Sequence, residues 1–212
     1  MNETDNDPDT ACYTLSELMQ LMANRIKEIA ADLEQQETSC FLDEMLTAKR
    51  IYVTGAGRSG LVSRAFAMRL MHIGFESYVV GETITPALSR GDTLVAFSGS
   101  GETNSIVDIC ETAKEVGARI CLITGAEDSR IRRIADCTVL LSGTLAYTAE
   151  TPAGYEVRQI TGQYRSTSAS FAPMGTLYEA SALIFSDAII TAMMEARHCS
   201  IDELKGRLSN VQ

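Results

Sequence analysis

Apolar residues near the start of the chain recur at intervals of three and four: Leu15, Leu18, Met19, Met22, Ile26, Ile29 and Leu33. One such stripe predicts an amphipathic helix of about six turns, an arm or packing helix. Phe41–Ala48 predicts a second, shorter one. The pattern then changes. Ile51–Thr54, Tyr78–Val80, Leu94–Phe97, Ile120–Thr124 and Thr138–Leu141 are brief, β-rich and almost continuously apolar. Helical segments at Ser59–Ile73, Ser105–Val116 and Arg130–Ala135 are interleaved with them. Strands alternating with helices predict a parallel sheet covered on both faces, and unbroken apolar strands fit burial on both sides. The expected fold class is α/β: a doubly wound αβα sandwich with a five-stranded parallel sheet, preceded by an N-terminal helical arm.

Beyond the last strand the period disappears. Ser142–Pro173 is rich in Gly, Thr and Ser and too long for a simple connector, so it reads as a lid or a poorly ordered excursion. Gly175–Ala196 is apolar nearly all round (Leu183, Ile184, Phe185, Ile189, Ile190, Met193, Met194), which predicts a helix buried in the core or in a subunit interface. Asp187 interrupts it, and no apolar run is read as long enough to span a bilayer. Ser200–Leu208 reads as a last short helix, and no internal repeat is visible.

With 212 residues, 45% hydrophobic and 22% charged, the chain supports one sizeable core with extensions. A formal net charge of -10 disfavours nucleic acid and anionic membrane as partners, because both carry the same sign. A small anionic ligand must then be held by local donors. The six cysteines (Cys12, Cys40, Cys110, Cys121, Cys137, Cys199) form no Cys-x-x-Cys pair and read as reduced thiols, three of them in the core. Met1–Thr10 is acidic and polar rather than leader-like, so a cytoplasmic location is expected. Neither His72 nor His198 pairs with acids at metal-ligand spacing, and Ser59 has no neighbouring base. No metal is expected.

Candidate chemistry lies in two loops at strand ends. Ser98-Gly99-Ser100-Gly101-Glu102-Thr103 leads straight into a helix. A helix N-terminus offers free amides and the positive end of its dipole, glycines let the backbone approach an anion, and hydroxyls add donors. This composition points to a phosphate cradle; a Ser/Thr-rich turn with an ordinary N-cap is the plainer alternative. The first strand ends in Gly55-Ala56-Gly57-Arg58-Ser59-Gly60, which fits the dinucleotide fingerprint G-x-G-x-x-G with Glu82 as a ribose acid. Against a dinucleotide, Arg58 places a full positive charge in the turn and the serine loop has no task. A short phosphosugar uses both loops.

Four further stretches carry a family resemblance: Phe66-Ala67-Met68-Arg69-Leu70-Met71-His72-Ile73-Gly74-Phe75, Val80-Gly81-Glu82-Thr83-Ile84-Thr85-Pro86, the serine loop itself, and Pro173-Met174-Gly175-Thr176-Leu177-Tyr178-Glu179. In this order they resemble the 6-phospho-3-hexuloisomerases, within the wider SIS (sugar isomerase) domain family, from about Leu15 to the C-terminus. The resemblance divides the chain into a tail and packing helices over 1–48 and a SIS domain over 49–212, with the long loop at 142–173 and C-terminal helices. It implies interconversion of D-arabino-hex-3-ulose 6-phosphate and D-fructose 6-phosphate, in formaldehyde assimilation or, in reverse, pentose supply. It also implies a homotetramer with sites near subunit boundaries. Two departures stand out. The family's C-terminal Arg-His-Ala-Asn-Leu is replaced by Arg207-Leu208-Ser209-Asn210-Val211, and the Ser142–Pro173 excursion is longer and more polar than the family's connector.

Moving a carbonyl between adjacent carbons needs a proton carrier and no redox cofactor, since oxidation and reduction occur in one molecule. The resemblance makes Glu179 that carrier. On spacing alone, Thr176-x-x-Glu179 reads sooner as a capping box, and the family match reverses that preference. The expected site therefore has Ser98, Gly99, Ser100, Gly101, Glu102 and Thr103 on the phosphate, Gly57, Arg58 and Ser59 on the sugar, and Glu179 on the proton. Thr151–Phe171 would close over it. His72 ends a helix of about 15 residues, hence about 22 Å long, so it either assists chemistry across a subunit boundary or merely completes the last helical turn. Other SIS isomerases, acting on arabinose 5-phosphate or a heptose phosphate, and a non-catalytic phosphosugar sensor share these loops.

Overall fold

A computed structural model describes residues 14–144, 176–198 and 206–207. Two helices, α1 (Leu15–Ala31) and α2 (Gln35–Thr47), precede the sheet. Its strands are β1 (Ile51–Gly55), β2 (Ser77–Val79), β3 (Thr93–Phe97), β4 (Arg119–Thr124) and β5 (Cys137–Leu140). Helix α3 (Gly57–His72) follows β1, α4 (Asn104–Glu115) follows β3, α5 (Arg130–Ile134) follows β4, and α6 (Thr176–Ala196) comes last.

All five strands are parallel, in the order β2-β1-β3-β4-β5. The pleat sorts their apolar residues onto two faces. Ile51, Val53, Val95, Phe97, Cys121 and Ile123 join one buried cluster with side chains of α1, α2, α3 and α6. Tyr52, Leu94, Ala96, Ile120 and Leu122 join the other with α4 and α5. Helices therefore cover both faces, as the unbroken apolar strands require. The order also places a switch point: the chain leaves β1 in one direction for β2 and in the other for β3. A crevice forms where connections diverge like this, beyond the carboxyl ends of the two strands.

Strand positions expected from the sequence differ by at most a residue or so at either end, which is the ordinary spread of element boundaries. The helical arm differs more. α1 stops at Ala31, and Leu33 lies in the turn, packed against the core. α2 begins at Gln35, well ahead of Phe41, and Glu34 offers it no side-chain cap. Its first turns carry polar residues, and only Phe41 and Met45 are buried, so the apolar pattern shows just the later half. α1 is capped by Thr14, whose hydroxyl accepts from the Glu17 amide while Glu17 Oε2 accepts from the Thr14 amide at 2.7 Å. Its first half carries Leu15 and Met19 into solvent, and docking begins towards Ile29.

α6 corrects one expectation. By length and apolar composition it is long enough to cross a membrane. Half of its most apolar stretch is buried within the fold, where Tyr178, Phe185, Ile189 and Met193 pack among α1, α2 and α3. It is a core helix. The Thr151–Phe171 lid, the Pro173–Gly175 stretch, the Leu208 departure and most of the Ser200–Leu208 helix lie outside the described residues.

At the amino end of the sheet, Asp92 is fully buried before β3. Arg50 donates to it twice, at 2.9 and 2.6 Å, and the Ser89 amide and hydroxyl donate at 2.8 and 3.0 Å. Burial pushes the Asp92 carboxyl up, but these donors outweigh it and hold it below the usual range. The long β2–β3 connection is tied down there, leaving the opposite end of the sheet for ligand.

Candidate active site

Register brings the two loops together. Gly55, the last residue of β1, pairs with Phe97, the last residue of β3, so the chain enters both loops from neighbouring strands about 4.8 Å apart. In the first loop Ala56 is the N-cap of α3 and makes no side-chain cap bond. Gly57 has φ +57°, a backbone state that costs a side-chain-bearing residue about 1–2 kcal/mol. Gly60 lies under Gly55: a Cβ there would stand 2.6 Å from the Gly55 carbonyl oxygen. Strand and helix meet too closely for any side chain. Arg58 projects outward, 63% exposed, and Ser59 is half-buried.

The serine loop is a tight turn. The Gly101 amide donates to the Ser98 carbonyl and to Ser98 Oγ, both at 3.1 Å, and the Glu102 amide donates to Ser100 Oγ at 3.2 Å. Gly101 has φ +63°, and a Cβ there would meet Ser129 Cβ at 2.5 Å and its Oγ closer still. Thr103 caps α4 by position but its hydroxyl makes no capping bond. Among the described residues, the amides of Ser100, Thr103, Asn104 and Ser105 have no protein acceptor. These are the donors that an anion needs at the positive end of a helix.

Glu102 is placed differently from the free ligand contact expected for it. Its carboxylate accepts from the Arg130 amide and Nε, both at 2.8 Å, and its carbonyl accepts from Arg130 Nη2 at 2.8 Å. Arg130 Nη2 also reaches Asn104 Oδ1 at 2.6 Å. The start of α5 is thereby clamped to the start of α4, and Glu102 shapes the loop. Glu82, the acid that a dinucleotide ribose would need, pairs with Arg64 at 3.1 Å.

α6 returns to this end of the sheet and inserts two consecutive residues. Tyr178, 2% exposed, donates from its hydroxyl to the Ile123 carbonyl at 2.7 Å, and a Cβ on Gly99 would press its ring at 3.1 Å. Burial pushes this phenol well above its ordinary pKa, so it stays protonated and donating. Glu179, next in the chain, accepts from Arg58 Nε at 3.1 Å with its side chain 13% exposed. The carboxylate thus meets the first loop, one residue along α6 from the ring that packs on the serine loop. Burial raises its pKa, and Arg58 partly opposes this through charge and hydrogen bond. One carboxylate oxygen, Oε2, is thus turned towards α3.

His72 is not brought to the site. It closes α3 at the far end of the sheet, 7% exposed, with Nδ1 unpartnered among the described residues. Tyr178, Arg130 and Ser129 are residues that sequence reading missed. The one available sign was that Tyr178 precedes the candidate acid in a helix too apolar to be on the surface. An open groove of about 590 Å³ lies elsewhere, lined by Leu46, Lys49, Gly74, Phe75, Glu76 and Arg197, and shares no residue with these loops.

The SIS domain family matches residues 44–151, the span holding both loops. The 3-hexulose-6-phosphate isomerase of Bacillus subtilis is 35% identical over 174 residues, covering 82% of this chain and 86% of its own. That of Methanocaldococcus jannaschii is 36% identical over 170 residues, covering 80% and 81%. A crystal structure of a Methanococcus jannaschii protein, described as inferring a molecular function of 3-hexulose-6-phosphate isomerase, superposes with a TM-score of 0.73 at 31% identity, over 92% of this chain and 98% of that one. With the matched span exceeding half its length and relatives above 30% identity over most of it, the chain belongs to the SIS domain family.

Proposed function

We propose that the chain is a phosphosugar isomerase interconverting D-arabino-hex-3-ulose 6-phosphate and D-fructose 6-phosphate. The observation that carries the reading is the position of Glu179, a mostly buried carboxylate joined to the first loop through Arg58 and to the serine loop through Tyr178 against Gly99. The names of the relatives from Bacillus subtilis and Methanocaldococcus jannaschii, 3-hexulose-6-phosphate isomerases, support the choice of sugar. The phosphate takes the free amides of Ser100, Thr103, Asn104 and Ser105 with the loop hydroxyls, and Ser59 faces the carbon chain.

In the direction of fructose 6-phosphate, Glu179 removes the proton from C2. The C2–H electron pair becomes the C2–C3 double bond, and the C3 carbonyl pair moves onto its oxygen. The resulting enediolate passes the hydroxyl proton from O2 to O3, and Glu179 returns its proton to C3 while the carbonyl re-forms at C2. Atoms and electrons balance within the substrate. Burial suits Glu179 to this work, because a carboxylate with a raised pKa is the stronger base.

The test is to add hexulose 6-phosphate with neither nicotinamide nor metal and to measure fructose 6-phosphate. Wild type should convert it. Glu179→Gln should lose about 10²–10⁴-fold in kcat while keeping substrate affinity, the usual share of a general base. Turnover of arabinose 5-phosphate or a heptose phosphate in place of the hexulose would replace the substrate and keep the site; unimpaired turnover by Glu179→Gln would remove Glu179 from the mechanism.

A further inference from the structure

The ion pair between Arg58 and Glu179 is unequal. Glu179 is 13% exposed, whereas Arg58 is 63% exposed and stands in the first turn of α3 beside the serine loop. Arg58 uses only Nε on the carboxylate, and among the described residues its two terminal nitrogens have no acceptor. A guanidinium binds phosphate best through two parallel N–H groups, and the terminal pair is the part left available here. We propose that Arg58 is a positioning residue that holds Glu179 in the empty site and transfers to the substrate's phosphate when it arrives, leaving the carboxylate unpaired. The inference rests on the isomerase reading above and adds an order of events to it.

The surroundings of Glu179 decide what release does. From α3 it faces Arg58; the other charged contact between α3 and α6 is Arg69 with Asp187, at 3.8 Å and about two turns further along. On its own helix the neighbouring Tyr178 phenol points to the Ile123 carbonyl. α1 and α2, also packed on α6, supply no charged partner among the described residues. The serine loop's acid, Glu102, is held by Arg130. Among the described residues no second cation stands ready when Arg58 leaves. Burial, which already raises the Glu179 pKa against the opposition of Arg58, then acts alone. Arg58 opposes the rise in the carboxylate's pKa while it waits, and the carboxylate becomes more basic once a carbon acid is bound.

Glutamate-selective ¹³C NMR on the full chain, with the Glu179 signal identified by Glu179→Gln, tests this using inorganic phosphate as the probe. The Ser100 amide in the same samples reports occupancy of the loop. Saturating phosphate should move the Glu179 titration midpoint upward. In Arg58→Met the midpoint should be raised without phosphate and unmoved by it, while Arg58→Lys, which keeps a charge, should lie between. The acid limb of kcat/KM, which reports free enzyme, should shift upward in Arg58→Met while that of kcat stays, a split that loss of packing would not produce. KM should rise roughly 10–100-fold, as expected for loss of one charge-assisted hydrogen bond. If phosphate perturbs Ser100 and leaves the Glu179 midpoint unmoved or lowered, release is overturned and the isomerase reading stands. If Ser100 never responds to phosphate, both fall.

Discussion

Gly101→Ala perturbs the serine loop in two separable ways. The backbone at φ +63° costs a residue bearing a Cβ about 1–2 kcal/mol. The new methyl also collides with Ser129, whose Cβ lies 2.5 Å from where it would sit, and overpacking of this kind costs about 1–3 kcal/mol more. The sum is about 2–5 kcal/mol, or roughly 4–20 °C in Tm for a chain of this size. Only the collision depends on Ser129. Ser129 is the N-cap of α5, its hydroxyl accepting from the Arg132 amide at 3.2 Å, and glycine replaces such a cap at a cost of a few tenths of a kcal/mol. Ser129→Gly alone should therefore be nearly silent, and Gly101→Ala/Ser129→Gly should be more stable than Gly101→Ala alone, with about 1–2 kcal/mol of backbone cost remaining. Thermal unfolding of the four proteins at one concentration measures the coupling. A double variant no more stable than Gly101→Ala would refute the contact between the serine loop and α5.

Two other substitutions test the supports of the site. Arg50→Met should cost about 3–5 kcal/mol near neutral pH, because it leaves the Asp92 carboxylate buried and unpaired. The pH dependence should reverse as well: in wild type the lowered Asp92 pKa gives stability that is complete above about pH 4 and is lost as pH falls below that towards the lowered pKa, whereas the variant should gain stability on acidification; thermal unfolding at about pH 7, 4 and 3 reads both. Tyr178→Phe should cost about 0.5–1.5 kcal/mol, since the Ile123 carbonyl keeps the Ser98 amide as donor at 3.1 Å, and Tyr178→Ala about 3–5 kcal/mol with loss of phosphate affinity, read by unfolding and a phosphate titration.

The sheet and the two loops were legible in the sequence because each leaves a local mark. A strand buried on both faces is an unbroken apolar run, and Leu94–Phe97 or Ile120–Thr124 can hardly be read otherwise. A loop whose backbone takes positive φ, as at Gly57 and Gly101, shows its glycines. The first half of α2 left no such mark: it has polar residues, no side-chain cap and few buried positions. Glu179 was singled out through family resemblance, because the spacing from Thr176 on its own favoured a helix cap. Its partner in the structure is Arg58, 121 residues away in the chain, and a pairing that distant has no local signature. Arg130 with Glu102 and Tyr178 with Gly99 were hidden for the same reason.

Gly99 shows how the fold turns these separate pieces into one site. It ends no helix and its φ is not positive, so its conformation does not call for glycine. Its requirement comes from outside, since a Cβ would press the Tyr178 ring. Its carbonyl accepts from the Gly125 amide and the Thr124 hydroxyl, both at 3.0 Å, which fixes the loop to the end of β4. The Tyr178 hydroxyl reaches the Ile123 carbonyl of the same strand. Loop and α6 are thus referred to one piece of backbone, and the next residue along α6 is Glu179. A parallel sheet supplies the two loops by register alone, but it cannot place a group from a helix whose Tyr178 lies 55 residues beyond Ile123. That placement comes from a ring wedged on a glycine and one buried hydroxyl.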